Sequence, residues 1–166
     1  IATLATMTIY RGLTLVYTDG NPITGIGDSF IFKYMGRGYL FGIPFPVVVM
    51  LLFFGVLYVL LHKMTFGRKT FALGGNEKAA FIAGIKSDRI KIAIYSISGL
   101  MAAVAGIIIT SRLNSAQPTA GNAYEMDAIA SVVLGGTSLS GGRGRLVGTL
   151  IGALIIGTLN NGLNLL

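Results

Sequence analysis

Cysteine is absent from this 166-residue sequence, and histidine occurs once, at His62. The chain can therefore form neither a disulfide nor a cysteine-based metal site, and one histidine cannot build a histidine cluster. Charged residues are also scarce, at 11% of the chain, whereas soluble domains carry about 25%. We expect no metal site, no catalytic motif and no ordinary soluble domain.

Apolar residues take the place of the missing charges. They make up 53% of the chain, the mean hydropathy is +0.75, and glycine occurs 24 times. Long uncharged runs occupy residues 39–61 and 92–111, and further apolar segments lie at each end of the sequence. Such runs are typical of membrane-spanning helices, in which glycine is common. We predict an all-α polytopic membrane protein with at least four transmembrane or re-entrant helical segments.

The net charge of +7 is unevenly distributed. Seven of the 13 Lys and Arg residues fall in one segment: Lys63, Arg68, Lys69, Lys78, Lys86, Arg89 and Lys91. Because positive loops stay on the cytoplasmic side, residues 62–91 and 143–145 are predicted inside, and residues 19–44 and 112–127 outside. This distribution favours membrane orientation over nucleic-acid binding as the reason for the positive charge.

The basic segment has signals of local structure. Gly74 and Gly75 are expected to break the backbone, and Asn76 to cap a two-turn helix with Glu77 in its first turn. Gly84 is expected to end that helix in a left-handed conformation, with Ile85 folding back on the preceding turn. Ser87 is expected to cap the next helix, with Asp88 in its first turn.

A short capped helix between two spans has two interpretations. The small residues Ala79, Ala80 and Ala83 would let a partner protein approach closely, which favours a docking element. A structured connector without a partner explains the same pattern equally well.

Two strings of this sequence resemble a known family. The string ALGGNEKAAFIAGI and the tail SAQPTAGNAYEMDAIASVVLGGTSLSGGRGRLVGTLIGALIIGTLNNGLNLL are similar to bacterial ABC transporter permeases of the ribose and monosaccharide type, within the branched-chain amino acid and sugar permease superfamily. The resemblance implies one transmembrane permease domain over residues 1–166, in which residues 64–91 form a cytoplasmic coupling loop. It also implies that the chain is an internal fragment of a longer permease.

The resemblance carries an expected function. A protein of this kind is the multi-pass permease subunit of an ATP-driven importer in the bacterial inner (plasma) membrane, and it moves ribose or a similar sugar by alternating access. Its expected partners are a cytoplasmic ABC ATPase, a periplasmic sugar-binding protein, a second permease copy and the lipid bilayer, with no nucleic acid. No cofactor is expected in this chain, since ATP and Mg would bind the partner ATPase. The residues expected to couple to that ATPase are Gly74, Gly75, Asn76, Glu77, Ala79, Ala80, Ala83, Gly84 and Ile85.

Polar residues near the predicted outer ends of the apolar segments are candidates for a translocation path. Their side chains can hydrogen-bond the hydroxyl groups of a sugar, although ordinary solvated loops and helix-dipole effects explain several of them as well. The set comprises Arg11, Asn114, Gln117, Asn122, Glu125, Asp127, Asn160 and Asn161. The pair Arg11-Gly12 is expected to interrupt the first apolar segment, and residues 128–142 are short enough to form a broken or re-entrant helix.

Small residues at helical spacing predict close helix packing. Those on the segment over residues 90–111 and on the last segment are Gly99, Ala102, Gly106, Gly148, Gly152 and Gly157. The glycine-rich string GGTSLSGGRGR lacks the GxxxxGK[ST] order of a nucleotide-binding loop, so no nucleotide site is predicted there.

Two other classes of function were compared with an ATP-driven permease. An ion-coupled secondary transporter of a small polar solute needs ionisable groups near the membrane midplane, and Glu125 and Asp127 are its only acidic candidates. A membrane-embedded enzyme needs a nucleophile with a base or a metal cluster, for which the residue types are missing.

Overall fold

The computed structural model describes residues 2–26 and 29–165. Within them the chain forms eight α-helices and four strands of two residues each. The helices are α1 (Ala2–Tyr17), α2 (Phe30–Arg37), α3 (Phe45–His62), α4 (Thr65–Gly75), α5 (Glu77–Ile82), α6 (Ser87–Leu113), α7 (Tyr124–Leu134) and α8 (Leu146–Leu165). The strands are β1 (Ile23–Thr24), β2 (Tyr39–Leu40), β3 (Ile43–Pro44) and β4 (Ser115–Ala116).

Three of these helices are long and apolar enough to cross a membrane. They are α3 with 18 residues, α6 with 27 and α8 with 20. Their large apolar side chains are mostly exposed, as expected for surfaces that face lipid or further helices. The predicted all-α polytopic membrane fold is therefore confirmed.

The chain divides into two compact units, one of residues 1–52 and 99–120 and the other of residues 53–98 and 121–166. In the first unit, α2 packs on the end of α6. The Ser111 hydroxyl donates to the carbonyl of Phe32, and Arg37 Nε donates to the carbonyl of Arg112 over 3.1 Å. Gly36 lies so close to this turn that a Cβ there would overlap the Arg112 amide.

Strand pairing joins two loop segments that the charge distribution assigns to the same side of the membrane. Strand β1 pairs antiparallel with β4, with Ile23 opposite Ala116 and Thr24 opposite Ser115. Strands β2 and β3 form a hairpin just before α3. The pairing of β1 with β4 agrees with the prediction that residues 19–44 and 112–127 share one side of the membrane, which itself stays a prediction.

The first apolar segment is not interrupted at Arg11-Gly12, contrary to expectation. Helix α1 runs unbroken from Ala2 to Tyr17 through Arg11 and Gly12, which were expected to interrupt it. An isolated glycine costs a helix about 1 kcal/mol relative to alanine, which does not end a helix of this length. Thr6, Thr8 and Thr14 donate their hydroxyls to carbonyls one turn earlier, so these hydroxyl groups bond within the helix.

The basic segment is more helical than its sequence suggests. Gly74 and Gly75 do not simply break the chain, because they form the last two residues of α4, a helix that was not predicted. The turn between α3 and α4 is tight, and a Cβ at Gly67 would overlap the carbonyl of Leu61. Leu73 of α4 is one of the few buried large apolar side chains of the described chain, at 8% exposure.

The start of α6 also differs from the expectation. Ser87 is already the first residue of the helix, and its hydroxyl has no hydrogen-bond partner. The carbonyl that accepts the bond from the Ile90 amide, at 3.3 Å, belongs to Lys86. Lys86 therefore occupies the capping position, one residue earlier than predicted, and Asp88 lies in the first turn as expected.

Candidate functional site

Helix α5 lies between α3 and α6 in the chain and is capped at its start by Asn76. The Asn76 side-chain oxygen accepts a hydrogen bond of 3.0 Å from the Ala79 amide. Glu77 occupies the first turn, where its carboxylate offsets the positive end of the helix dipole. The predicted amino-terminal cap is confirmed, and it defines where this short helix begins.

The carboxyl end of α5 is closed by a left-handed glycine. Gly84 has a φ of +77°, and its amide donates to the carbonyl of Phe81 over 2.9 Å. The amide of Ile85 donates to the carbonyl of Ala80 over 3.0 Å. These two bonds form a Schellman motif, which satisfies carbonyls that a helix of six residues would otherwise leave unpaired.

The exposed surface of α5 differs from the small-residue surface that was expected. Ala79 and Ala83 are exposed, but Ala80 is only 4% exposed. Phe81 and Ile82, by contrast, are 73% and 85% exposed. Ala80 is therefore corrected from a contact residue to an internal packing residue, because its methyl group is covered by the chain itself. Phe81 and Ile82 were not among the expected contact residues; two bulky apolar residues within a basic segment mark a candidate contact, but they do not show which side chain is exposed.

An ion pair ties α5 to α6. Lys91 Nζ donates a hydrogen bond to Glu77 Oε1, and both side chains are about half exposed. An exposed pair of this kind stabilises a structure by about 0–1 kcal/mol. Its main effect is geometric, since it fixes the first turn of α5 against a long helix. Beside it, a groove of about 860 Å³ runs along Phe81 and Ile82 to the start of α6.

A contact between glycine backbones joins the end of α4 to the turn that precedes α8. A Cβ on Gly74 would lie 2.8 Å from the Gly142 nitrogen, and one on Gly142 would lie 2.8 Å from the Gly75 Cα. Both distances are shorter than real Cβ contacts, so only glycine fits. The end of α4 therefore rests directly on the turn that precedes α8.

Helices α7 and α8 form a hairpin that also packs through glycine. A Cβ at Gly148 would overlap the carbonyl of Gly135, and one at Gly152 would overlap the carbonyl of Ser131. Gly148 and Gly152 thus lie in the helix contact that their spacing predicts. A Cβ at Gly99, Gly106 or Gly157 meets no described atom within 4 Å, and Ala102 is exposed, so the packing role of those four residues stays a prediction.

A polar cleft lies on the hairpin on the side where α7 begins. The Asn160 side-chain amide donates a hydrogen bond of 3.0 Å to Asp127 Oδ2, which joins the two helices. Asp127 and Glu125 lie in the first turn of α7, as expected. The cleft has a volume of about 320 Å³, and Tyr124, Asp127, Ser131 and Asn160 supply its polar groups. Its donors, acceptors and aromatic ring can bind a small hydroxyl-rich molecule.

The other candidate path residues lie elsewhere. Arg11 lies on α1, Asn114 has a left-handed φ of +55°, and Gln117 follows β4; all three belong to the first compact unit. In the second unit, Asn122 precedes α7 and Asn161 lies on α8 beside Asn160. Of the whole set, the structure brings Asp127 and Asn160 together by a hydrogen bond. Within residues 2–26 and 29–165, no three His, Asp or Glu side chains are grouped to hold a metal ion.

The three helices long and apolar enough to cross a membrane, with the short capped helix α5 between two of them, are features of a multi-pass membrane protein. The sequence profile of the family described as "Branched-chain amino acid transport system / permease component" matches residues 1–166. The chain therefore belongs to this family of permease components, and it is a multi-pass protein of the bacterial inner (plasma) membrane.

Individual relatives are similar over the whole of this chain. The ribose import permease protein RbsC of Bacillus subtilis (strain 168) is 72% identical over 166 residues, which are 100% of this chain and 52% of that protein. The protein of the same name from Haemophilus influenzae is 57% identical over 168 residues, with the same coverage. The D-allose transport system permease protein AlsC of Escherichia coli (strain K12) is 45% identical over 166 residues, which are 100% of this chain and 50% of that protein. The chain thus spans about half the length of these relatives, and no solved structure matches it.

Proposed function

We propose that this chain is part of the permease subunit of an ATP-driven importer for a monosaccharide, ribose or a similar sugar. The observation that carries this proposal is the sequence identity of this chain, over all of its residues, to ribose import permease proteins. The relative named for D-allose transport supports a sugar as the substrate class. Transport proceeds by alternating access, and the energy comes from ATP hydrolysed with Mg on a partner subunit, so this chain is itself no enzyme.

We infer that residues 64–91 are the cytoplasmic coupling loop of a single permease domain over residues 1–166. Its docking element is α5, whose exposed Phe81 and Ile82 offer an apolar anchor to a groove on a separate ABC ATPase. The caps at Asn76 and Gly84 fix the length and direction of that anchor. The remaining coupling residues, Gly74, Gly75, Glu77, Ala79, Ala83 and Ile85, shape or support it, while Ala80 packs beneath it.

We propose that the polar cleft of the α7–α8 hairpin is part of the sugar path. Asp127 and Asn160 hold each other at 3.0 Å, and hydroxyl groups of a sugar can replace that bond with similar ones. Arg11, Asn114, Gln117, Asn122, Glu125 and Asn161 are proposed as further polar groups along the path. A periplasmic sugar-binding protein delivers the substrate, and a second permease copy completes the path.

The docking role of α5 is tested by the double variant Phe81→Asp/Ile82→Asp in the full-length permease. Replacing two exposed apolar anchors by charges should remove most of the binding energy of the contact, because interface energy concentrates in a few apolar anchors. We expect the ATPase to copurify at least about tenfold less per inserted permease, and ATP-driven sugar uptake into vesicles to fall with it.

Phe41→Asp is the matched control. Phe41 is 99% exposed and lies in the turn between β2 and β3, on the predicted outer side. Its left-handed φ of +51° suits aspartate at least as well as phenylalanine. Undiminished copurification in the α5 variant would contradict docking through this helix. Uptake that persists without ATP and stops when ion gradients are dissipated would instead identify an ion-coupled transporter.

A further inference from the structure

We propose that a cavity beside the glycine-rich turn before α8 binds the phosphate group of an anionic phospholipid. The cavity has a volume of about 640 Å³ and is lined by His62, Phe71, Arg143, Arg145 and four glycines. It lies wholly within the second compact unit and takes no part in the polar cleft or in the exposed face of α5.

The charged side chains that line this cavity are all basic. Arg143 and Arg145 are exposed, and neither makes an ion pair within the described part of the chain. No Asp or Glu is among the described residues that line the cavity. Arginine recognises phosphate well because its planar fork can donate two parallel hydrogen bonds to the phosphate oxygens. Two arginines without an ion pair at one cavity therefore fit the phosphate group of a ligand.

Glycines supply half of the residues that line the cavity: Gly135, Gly136, Gly142 and Gly144. At Gly136 a Cβ would meet no described atom within 4 Å, so the main chain is open to a ligand there. Helix α8 begins at Leu146, immediately after Arg145, and its first amides carry the partial positive charge of a helix start. The string lacks the lysine and hydroxyl pair of a nucleotide-binding loop, so the ligand is a simple phosphate ester and not ATP.

The position of the cavity along the spans distinguishes a lipid from a soluble phosphate. His62 is the last residue of α3 and Leu146 is the first of α8, and both helices are long and apolar enough to cross a membrane. Arg145 and His62 both line the cavity, which therefore lies where two spans end, at the depth of lipid head groups. Basic pockets at this depth bind anionic head groups, and Phe71 supplies an apolar wall for the start of the acyl chains.

The test compares full-length permease variants in nanodiscs of phosphatidylethanolamine with one quarter phosphatidylglycerol. Bound phosphatidylglycerol per permease is measured by native mass spectrometry after gentle removal of bulk lipid. Arg143→Gln/Arg145→Gln should weaken binding about tenfold or more, since each charge near an anionic surface contributes measurably. Arg143→Lys/Arg145→Lys keeps the charge but loses the planar fork, so it should recover only part of the binding.

Arg68→Gln/Lys69→Gln is the matched control, because it removes two exposed positive charges from α4 and neither residue lines the cavity. Equal loss in both double variants, or no loss in Arg143→Gln/Arg145→Gln, would overturn the proposal. Inorganic phosphate that binds without lipid and displaces phosphatidylglycerol at low millimolar concentration would assign the cavity to a soluble ligand. Reduced copurification of the ATPase with unchanged lipid would assign the arginines to a protein contact. If the double variant does not fold, the single variants Arg143→Gln and Arg145→Gln give the same comparison with a smaller expected loss.

Discussion

Replacing Gly84 by valine tests how much the left-handed conformation of this residue contributes to the carboxyl-terminal cap of α5. The φ of Gly84 is +77°, and a Cβ at this position would meet no atom within 4 Å. The Cβ itself therefore overlaps no neighbour, and the backbone conformation is the expected cause of an effect. A left-handed conformation costs an L-residue about 1–2 kcal/mol, and a β-branched residue is the least suited to it.

This cost should appear as local opening of α5. The bonds at risk are those from the Gly84 amide to the Phe81 carbonyl and from the Ile85 amide to the Ala80 carbonyl. A penalty of one to two kcal/mol raises the open population about 5- to 30-fold. We expect the amides of residues 84 and 85 to exchange hydrogen for deuterium faster by that factor in the purified full-length protein. The ATPase should also copurify less, because the apolar anchor is no longer held in one direction.

Gly84→Asn is the matched control for this experiment. Asparagine tolerates the left-handed conformation better than other non-glycine residues, so its exchange rates should stay close to those of the parent. If the amides of residues 84 and 85 exchange no faster in Gly84→Val than in Gly84→Asn, the left-handed conformation of Gly84 does not stabilise the end of α5. Equal acceleration in both variants would show that the loss of glycine itself matters, and not the left-handed conformation.

Two further predictions concern packing and orientation. Gly152→Leu should lower the yield of folded protein in detergent, because a side chain there would overlap the Ser131 carbonyl of α7. Gly157→Leu is the control and should be tolerated, since a Cβ at Gly157 meets no described atom within 4 Å. Equal yields of the two variants would contradict the contact between α7 and α8. Single cysteines at Lys78 and Ala120 should label from opposite sides of the membrane with impermeant reagents, as the positive charge distribution predicts. Labelling of both from outside would contradict that orientation.

Local signals in the sequence predicted the ends of α5 well. Asn76, Glu77 and Gly84 act through bonds within a few residues, so their roles follow from capping rules alone. The burial of Ala80 and the exposure of Phe81 could not be predicted in the same way. Both depend on which face of a two-turn helix meets the rest of the chain, and so few residues do not define an apolar periodicity.

Contacts between distant segments set the limit of sequence reasoning elsewhere. The spacing of Gly148 and Gly152 indicated a packing face, but it did not identify α7 as the partner or the carbonyls of Gly135 and Ser131 as the contacts. Helix α4 was missed because its two terminal glycines are weak helix formers, and their contact with Gly141 and Gly142 holds them in place. The polar cleft was predicted as separate residues, whereas the bond between Asp127 and Asn160 required the structure.

The glycine contacts of the α7–α8 hairpin have a consequence for protein engineering. Gly148 and Gly152 meet main-chain carbonyls of the same hairpin, so this part of the packing does not depend on the identity of neighbouring side chains. Residues 124–165 therefore carry their own interhelical fit, and an exchange of this block between homologous permeases must also keep the contact of Gly142 with the end of α4. Chimaeras made in this way would change the polar groups of the cleft while they preserve the scaffold that displays them.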